Sequence, residues 1–256
     1  MSEIEERHYY GGNVHLINDV YYHTLLANLS TAGSAQPQLN LYLRTLYEGL
    51  LRFMMNRYFP KKEERFLTRM NAALNEKILD PETEVVTVDI ARAGILPSMV
   101  CFEMLSSILP PSKVRQDHII INRVVNTEGQ VTGAAISGTK VGGPVDGKIL
   151  IFPDPMGATG SSLCEVLKFY LAGGSQKPAA VISLNLIITP EFIRRVLSEY
   201  PGARIAAYRL DRGLSPKEVL SLMPGEKWEL EKGLNEHDYI IPGAGGLGEV
   251  LNNSFV

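Results

Sequence analysis

Five short runs rich in valine and isoleucine (Glu84 to Asp89, His118 to Val125, Lys148 to Phe152, Ala179 to Ile187 and Arg204 to Tyr208) are separated by stretches of helical periodicity. That alternation constrains the chain more than any other feature. Nearly continuous β-branched runs belong to strands buried on both faces, and helices between them supply the crossovers that parallel pairing requires. The intervening helices read as Ile95 to Leu109, Ser161 to Ala172 and Pro190 to Glu199. The predicted fold is α/β, a mainly parallel central sheet flanked by helices.

Ahead of the sheet, Leu43, Leu46, Leu50, Phe53 and Met54 recur at helical spacing and predict a helix over Leu39 to Phe59, entered through a turn at Gln36-Pro37. Its apolar face suits a core or a partner equally well. Arg65 to Leu79 reads as a second helix, stopped by Asp80-Pro81 because the residue before proline disfavours the α region. Asn126-Thr127-Glu128-Gly129 has hairpin turn chemistry, and the glycine-interrupted Gly133 to Gly143 follows it, which predicts a flexible β-hairpin flap. No repeat or long linker divides the chain. It reads as one domain: 1–80 an N-terminal arm and helices, 81–210 the core, 211–256 a C-terminal hood.

With 25 Lys plus Arg against 28 Asp plus Glu, the net charge is −3, so the chain as a whole is no nucleic-acid binder and any phosphate must be held locally. No apolar run approaches the ~20 residues of a spanning helix, and the opening Met1-Ser2-Glu3-Ile4-Glu5-Glu6 is acidic, the reverse of a targeting signal. A cytoplasmic protein without membrane contact is expected. Cys101 and Cys164 fall inside predicted helices, and the five histidines show no H-x-x-x-H spacing, so no metal held by protein side chains is expected.

Chemistry concentrates after Lys148 to Phe152, where Pro153-Asp154-Pro155-Met156-Gly157-Ala158-Thr159-Gly160-Ser161-Ser162 runs into a helix. A small-residue loop entering a helix offers main-chain N–H groups and the positive end of the helix dipole to a phosphate. Gly157, Ala158 and Gly160 lack bulk, while Thr159, Ser161 and Ser162 add hydroxyls. Asp154 is the odd member, since a carboxylate beside a phosphate must face something else, such as sugar hydroxyls or Mg²⁺.

This string resembles the phosphoribosyl diphosphate (PRPP) loop of type I phosphoribosyltransferases, and Asp154-Pro155-Met156-x-Ala158-Thr159-Gly160 looks like the version in the uracil phosphoribosyltransferase family. Asp89-Ile90-Ala91-Arg92-Ala93-Gly94 resembles that family's Leu-Arg-Ala-Gly loop and Ile121-Asn122-Arg123 its Tyr-Arg segment. Gly233 to Gly243 resembles its base-recognition segment. The resemblance implies transfer of the phosphoribosyl group from PRPP to uracil, giving UMP and pyrophosphate. Arg92, Arg123 and Asp154 would be catalytic. Arg92 and Arg123 would grip the pyrophosphate, Asp154 the ribose hydroxyls, and Ala158 to Ser162 the 5′-phosphate, with Pro155, Met156 and Gly157 completing the loop. Tyr239, Ile240, Ile241, Gly243, Gly245 and Gly246 would read the base, largely through the main chain. Mg²⁺ held by pyrophosphate and water, and a homodimer or higher homo-oligomer, are further implications.

The chain departs from the pattern after Gly245. The family has an acid where Gly246 stands, then x-Gly-Asp and a basic residue; here Leu247, Gly248, Glu249 and Val250 follow. Three readings therefore stand open: transfer to uracil, PRPP or nucleotide binding with little catalysis, and transfer to another base. Gly243-Ala244-Gly245-Gly246-Leu247-Gly248 spells G-x-G-x-x-G, but too few residues follow for the helix, strand and acid of a dinucleotide fold.

Overall fold

The computed structural model describes residues 4–125, 131–172 and 176–254. In chain order the elements are β1 (Val14–Leu16), α1 (Val20–Leu29), α2 (Gln38–Tyr58), β2 (Lys61–Leu67), β3 (Ala73–Leu79), β4 (Val85–Ala91), α3 (Ile95–Ser106), β5 (Val114–Val125) and β6 (Val131–Lys140). There follow β7 (Ile149–Pro153), the two-residue β8 (Met156–Gly157), α4 (Ser161–Leu171), β9 (Ala180–Ile188), α5 (Pro190–Glu199), β10 (Arg204–Leu210), α6 (Lys217–Leu220) and α7 (Leu247–Val250).

The main sheet runs β1-β10-β9-β7-β4-β5-β6, with β8 also on β9, and only the β5–β6 pair is antiparallel. The expected parallel α/β fold is thus observed. Alternate residues of each strand serve opposite cores. Ile149 and Ile151 pack with Leu43, Leu46 and Leu50 of α2 and with Cys101 and Leu105 of α3, whereas Leu150 and Phe152 pack with Val166 and Leu167 of α4 and Ile193 of α5. The apolar face of α2 therefore belongs to the core: Leu39, Leu43, Leu46, Tyr47, Leu50, Leu51 and Met54 are all buried. Of the described helices, none is long and apolar enough to cross a membrane.

Strand order reverses between β4 and β7. From β4 the chain continues outward to β5, and from β7 it goes the other way to β9 and β10. The loops leaving the carboxyl ends of these two neighbours diverge, which opens a crevice between them. The Arg92 and Asp154 loops both emerge there.

The second predicted helix is wrong. Arg65 to Leu79 contributes to an antiparallel hairpin, β2 against β3, in register from Lys61↔Leu79 to Leu67↔Ala73. Local turn chemistry defeats the helix. Thr68 Oγ1 accepts from the N–H groups of Met70 and Ala72, Thr68 N–H donates to Ala72 O, and Asn71 takes φ +56°. Side-chain capture of backbone donors favours a turn over a helix. Opposite charges face each other at Glu63↔Lys77, while Glu64, set opposite Glu76, is paired by Lys62 Nζ at 2.8 Å.

The small-residue segment after the predicted flap turn is mostly β6, an edge strand whose register on β5 shifts twice. The turn itself, Asn126 to Gly129, lies outside the described residues.

Candidate active site

A cleft of about 840 Å³ lies at the switch point between β4 and β7. From the β4–α3 loop it receives Arg92 and Ala93, from β5 Ile120, Ile121 and Asn122, and from the β7–α4 loop Asp154, Met156, Ala158 and Ser162. Its far wall is the C-terminal segment, with Asp238, Tyr239, Ile240, Ile241, Pro242, Gly245, Gly246 and Glu249. Arg92, Asp154, Met156, Ala158, Ser162 and the nominated residues around Ile240 thus share one cavity, while Thr159, Gly160 and Ser161 do not line it.

The β7–α4 loop is held from beneath by β9. Asp154 N–H donates to Leu184 O at 3.0 Å, Asn185 Nδ2 donates to Asp154 O at 2.7 Å, and Thr189 Oγ1 donates to Ala158 O at 2.7 Å. Pro155 and Gly157 face inward, their carbonyls accepting from Leu186, Ile187 and Thr189 N–H. Gly160 precedes α4 with φ +77°, a conformation that favours glycine, and its Cβ would stand 3.2 Å from Val196. No side chain caps α4 there. Thr159 Oγ1 bonds Ser161 Oγ at 2.7 Å and accepts from Ser161 N–H. Gly160 supplies no cap of its own, and with Thr159 Oγ1 engaging the first N–H the helix N-terminus beside small residues is a ready anion seat.

Asp154 Oδ1 accepts from Met156 N–H at 3.3 Å. Burial pushes its carboxyl up to about 6, against the pull of that N–H, and the nearby Asp89 carboxylate adds to the rise. Asp89 was not singled out by sequence. It is buried at the end of β4 with Oδ2 3.0 Å from Nδ1 of His118, its register partner on β5, while Oδ1 is buried without a hydrogen-bond partner among the described residues. Burial raises Asp89 too, and His118 opposes the rise.

Arg92 follows a cis Ala91–Arg92 peptide. Its guanidinium reaches the C-terminal segment: Nη1 donates to Ser254 Oγ, and Nη2 lies 3.7 Å from Glu249 Oε1. Arg123 stands on β5 in register with Ala134, and its side chain lies outside the described residues.

The segment from Gly233 to Gly243 forms a single bridge, Leu234↔Ile240. Asn235 N–H donates to Tyr239 O at 3.0 Å and Ile241 N–H to Gly233 O at 2.9 Å. Leu234 and Ile240 are consequently the pair without mutual hydrogen bonds, and the N–H and C=O of Ile240 point away from Leu234. Gly243 does not line the cleft. It anchors the segment instead, donating to Asp211 Oδ2 at 2.7 Å and accepting from Arg209 Nη2 at 2.8 Å, with Arg209 and Asp211 paired at 2.7 Å. The cleft residues that sequence reasoning did not nominate, Asn122 and Asp238 among them, sit next to recognised motifs and carry no separate pattern.

No group of three or more His, Cys, Asp or Glu among the described residues could hold a metal. The cleft's scattered carboxylates fit a hard cation carried in on a diphosphate and reached through water, and do not fit a protein-held ion.

A family model described as uracil phosphoribosyltransferase matches residues 18–225. Among curated relatives, the uracil phosphoribosyltransferase of Thermoanaerobacter sp. (strain X514) is 28% identical over 202 residues, 79% of this chain and 80% of that protein. The uracil phosphoribosyltransferase of Pyrobaculum islandicum is 28% identical over 212 residues, 83% of this chain and 94% of its own. Among solved structures, the AQ2163 protein from Aquifex aeolicus superposes with a TM-score of 0.71 at 22% identity, covering 93% of this chain and 97% of its own, a likeness of fold. With more than half of its length matched by the family model, the chain belongs to the uracil phosphoribosyltransferase family and is an enzyme of the pentosyltransferase class.

Proposed function

We propose that this chain transfers the phosphoribosyl group of PRPP to uracil. The observation that carries the reading is the meeting of Arg92, Asp154 and the α4 N-terminus with the Ile240 strand edge across one cleft, so that a diphosphate, a sugar, a phosphate and a base each find a chemically matched wall. The bond from the anomeric carbon to the diphosphate oxygen breaks with its electrons leaving on the diphosphate. N1 of uracil forms the new bond, and its proton passes to solvent. Positive charge develops on the sugar and negative charge on the leaving group. Arg92, with Arg123 from β5, takes the leaving group's charge, which a planar guanidinium grips bidentately. Asp154 accepts from the ribose hydroxyls, and Ala158 to Ser162 hold the 5′-phosphate.

The reaction relies on placement, so no strong general base is required. Mg²⁺ bound to the diphosphate would supply further charge neutralisation. Main-chain groups at Ile240, Gly245 and Gly246 read the pyrimidine, and an amine in place of a carbonyl leaves a buried group unpaired, which favours uracil over cytosine.

The test is pyrophosphate release from PRPP and Mg²⁺ with uracil, cytosine, adenine or hypoxanthine. Release with uracil alone is expected. Release with another base instead reassigns the substrate, and none at enzyme equimolar with PRPP overturns catalysis in favour of a binding relative.

We also propose a homodimer built on the β2–β3 arm. The hairpin leaves Phe66, Leu67, Met70 and Leu74 exposed, and an isolated two-stranded hairpin is marginal in water without a cover. Sedimentation velocity is expected to show a dimer that L67E/M70E converts to folded monomer; a monomeric wild type removes the proposal.

A further inference from the structure

β9 lies inside the main sheet between β10 and β7, and its run Ala180–Ile188 is apolar except at Ser183 and Asn185. Both side chains are buried, at 1% exposure, in a strand interior where asparagine is disfavoured and an unmatched amide is costly. Each is matched. Ser183 Oγ donates to Asn185 Oδ1 at 2.7 Å, and Asn185 Nδ2 donates to Asp154 O at 2.7 Å. The amide has one satisfactory orientation, since turning it over would set Oδ1 against a carbonyl oxygen.

The carbonyl so held belongs to the residue assigned to the sugar. Asp154 stands between Pro153 and Pro155, so neither neighbour has an N–H for the ladder, and a residue before proline keeps to extended backbone. Its own N–H donates to Leu184 O at 3.0 Å, which fixes its exit from β7. Leu186 N–H, further along β9, passes it by and donates to Pro155 O at 3.1 Å. What is left to Asp154 is a swing of the peptide plane it shares with Pro155. The Asn185 amide stops that swing, and the Asp154 side chain then leaves the main chain in one direction, as part of the cleft wall.

We propose that Asn185, held in turn by Ser183, is the positioning residue for Asp154, aiming its carboxylate at the ribose hydroxyls of PRPP without touching the substrate. The proposal rests on the PRPP-binding reading above. Neither Asn185 nor Ser183 lines the cleft, so any effect they have on the sugar passes through Asp154. A carboxylate already aimed spares the substrate the cost of ordering it, and a small misplacement of a binding group is felt strongly. A buried polar pair in the middle of an apolar strand thereby has a use that packing alone would not give it.

The experiment measures kcat and KM for PRPP in wild type, N185L, D154N and D154N/N185L, with S183A as a milder variant. Leucine keeps the branching of asparagine and loses the donor. N185L is expected to raise KM for PRPP about 10-fold, with kcat changed less than about threefold. In the D154N background the same substitution should change KM less than about twofold, because no carboxylate remains to be misaimed. S183A, which frees the amide to turn, should raise KM about threefold and lose that effect in D154N, so it carries the same test if leucine is not accommodated at 185. A KM within about twofold of wild type in both N185L and S183A, or losses that multiply in the D154N background as a general loosening would give, overturns the proposal.

A second readout needs no substrate. Met156 N–H donates to Asp154 Oδ1 at 3.3 Å, so its hydrogen exchange reports where the carboxylate points. That exchange should quicken about 10-fold in N185L, while Ile205 N–H, bonded to Asn13 O near the opposite end of the sheet, keeps its wild-type rate. This pattern together with a wild type inert toward PRPP and uracil would sustain the positioning role and reject the proposed reaction. Met156 exchange indifferent to Asn185, or quickened no more than that of Ile205, would reject the positioning role whatever the activity.

Discussion

Replacing Asp154 with asparagine is expected to lower kcat/KM for PRPP by about 100-fold or more and, at neutral pH, to raise the thermal midpoint of the protein. The two effects share one cause. A carboxylate accepting from two ribose hydroxyls makes charge-assisted hydrogen bonds worth roughly 1.5–3 kcal/mol each, and an amide oxygen with an NH₂ beside it cannot replace both. At about 1.4 kcal/mol per decade, losing one such bond and weakening the other gives the stated fall. The same carboxylate is a burden on the unbound protein. Its folded-state value of about 6 stands well above the ordinary carboxylate range, and burial is the main reason.

The sign of the stability effect follows from proton counting. Between about pH 4 and 6 the native state holds a proton on Asp154 that the unfolded chain has already released, so this group's contribution to stability declines as pH rises through that window and is level above it. At pH 7 the charged form costs the fold roughly 2–3 kcal/mol. Asparagine removes that cost and retains an oxygen for Met156 N–H. The difference in midpoint between variant and wild type should therefore be largest above pH 6 and vanish near pH 4. In the wild type, kcat/KM for PRPP should rise with a midpoint near 6, and the residual activity of D154N should lack that limb. A variant equally active, or one less stable at pH 7, would show that Asp154 neither holds the sugar nor carries a buried charge.

How much of this was legible in advance follows the range of the interactions. The sheet was readable because runs such as Ile182 to Ile188 are buried on both sides, and a short run so rich in isoleucine and leucine has few other uses. The loop entering α4 was readable as a special turn because a positive φ restricts which residues fit, as Gly160 at φ +77° shows. Arg65 to Leu79 reads as a helix because the stop at Asp80-Pro81 is visible in sequence, whereas the reversal at Thr68, whose hydroxyl captures two backbone N–H groups, is not. α1 went unread although Asp19 caps it by accepting from Tyr21 and Tyr22 N–H; its flanks lack a proline or glycine stop, and its apolar residues follow no clear stripe. The Asp89–His118 pair and the approach of Glu249 to Arg92 join residues far apart in sequence. Only the parallel register of β4 with β5 and the seating of α7 create them, so no local pattern could announce either.

Alanine at position 94 should do more damage than its single methyl suggests. A Cβ there would lie 2.8 Å from Ile90 N, 2.9 Å from Ile90 O and 3.2 Å from Pro153 O. All three are main-chain atoms, so no side chain can swing aside. Gly94 N–H already donates to Ile90 O at 3.0 Å, and its own carbonyl accepts from Ser98 N–H at 2.9 Å as α3 begins. The methyl can be housed only by pushing the β4–α3 loop away from the end of β7, which separates Arg92 from the Asp154 loop across the switch point. Overpacking of this kind costs about 1–3 kcal/mol of stability, and displacing a binding group by about 1 Å costs as much as 100-fold in rate. G94A is therefore expected to lower the free energy of unfolding, read from chemical denaturation, by that amount and to raise KM for PRPP about 10-fold to 100-fold. Gly202→Ala, at a turn where a Cβ meets nothing within 4 Å, should change neither. If G94A bound PRPP as the wild type does, the close seating of the two loops would have no part in gripping the diphosphate, and Arg92 would lose its place in the mechanism.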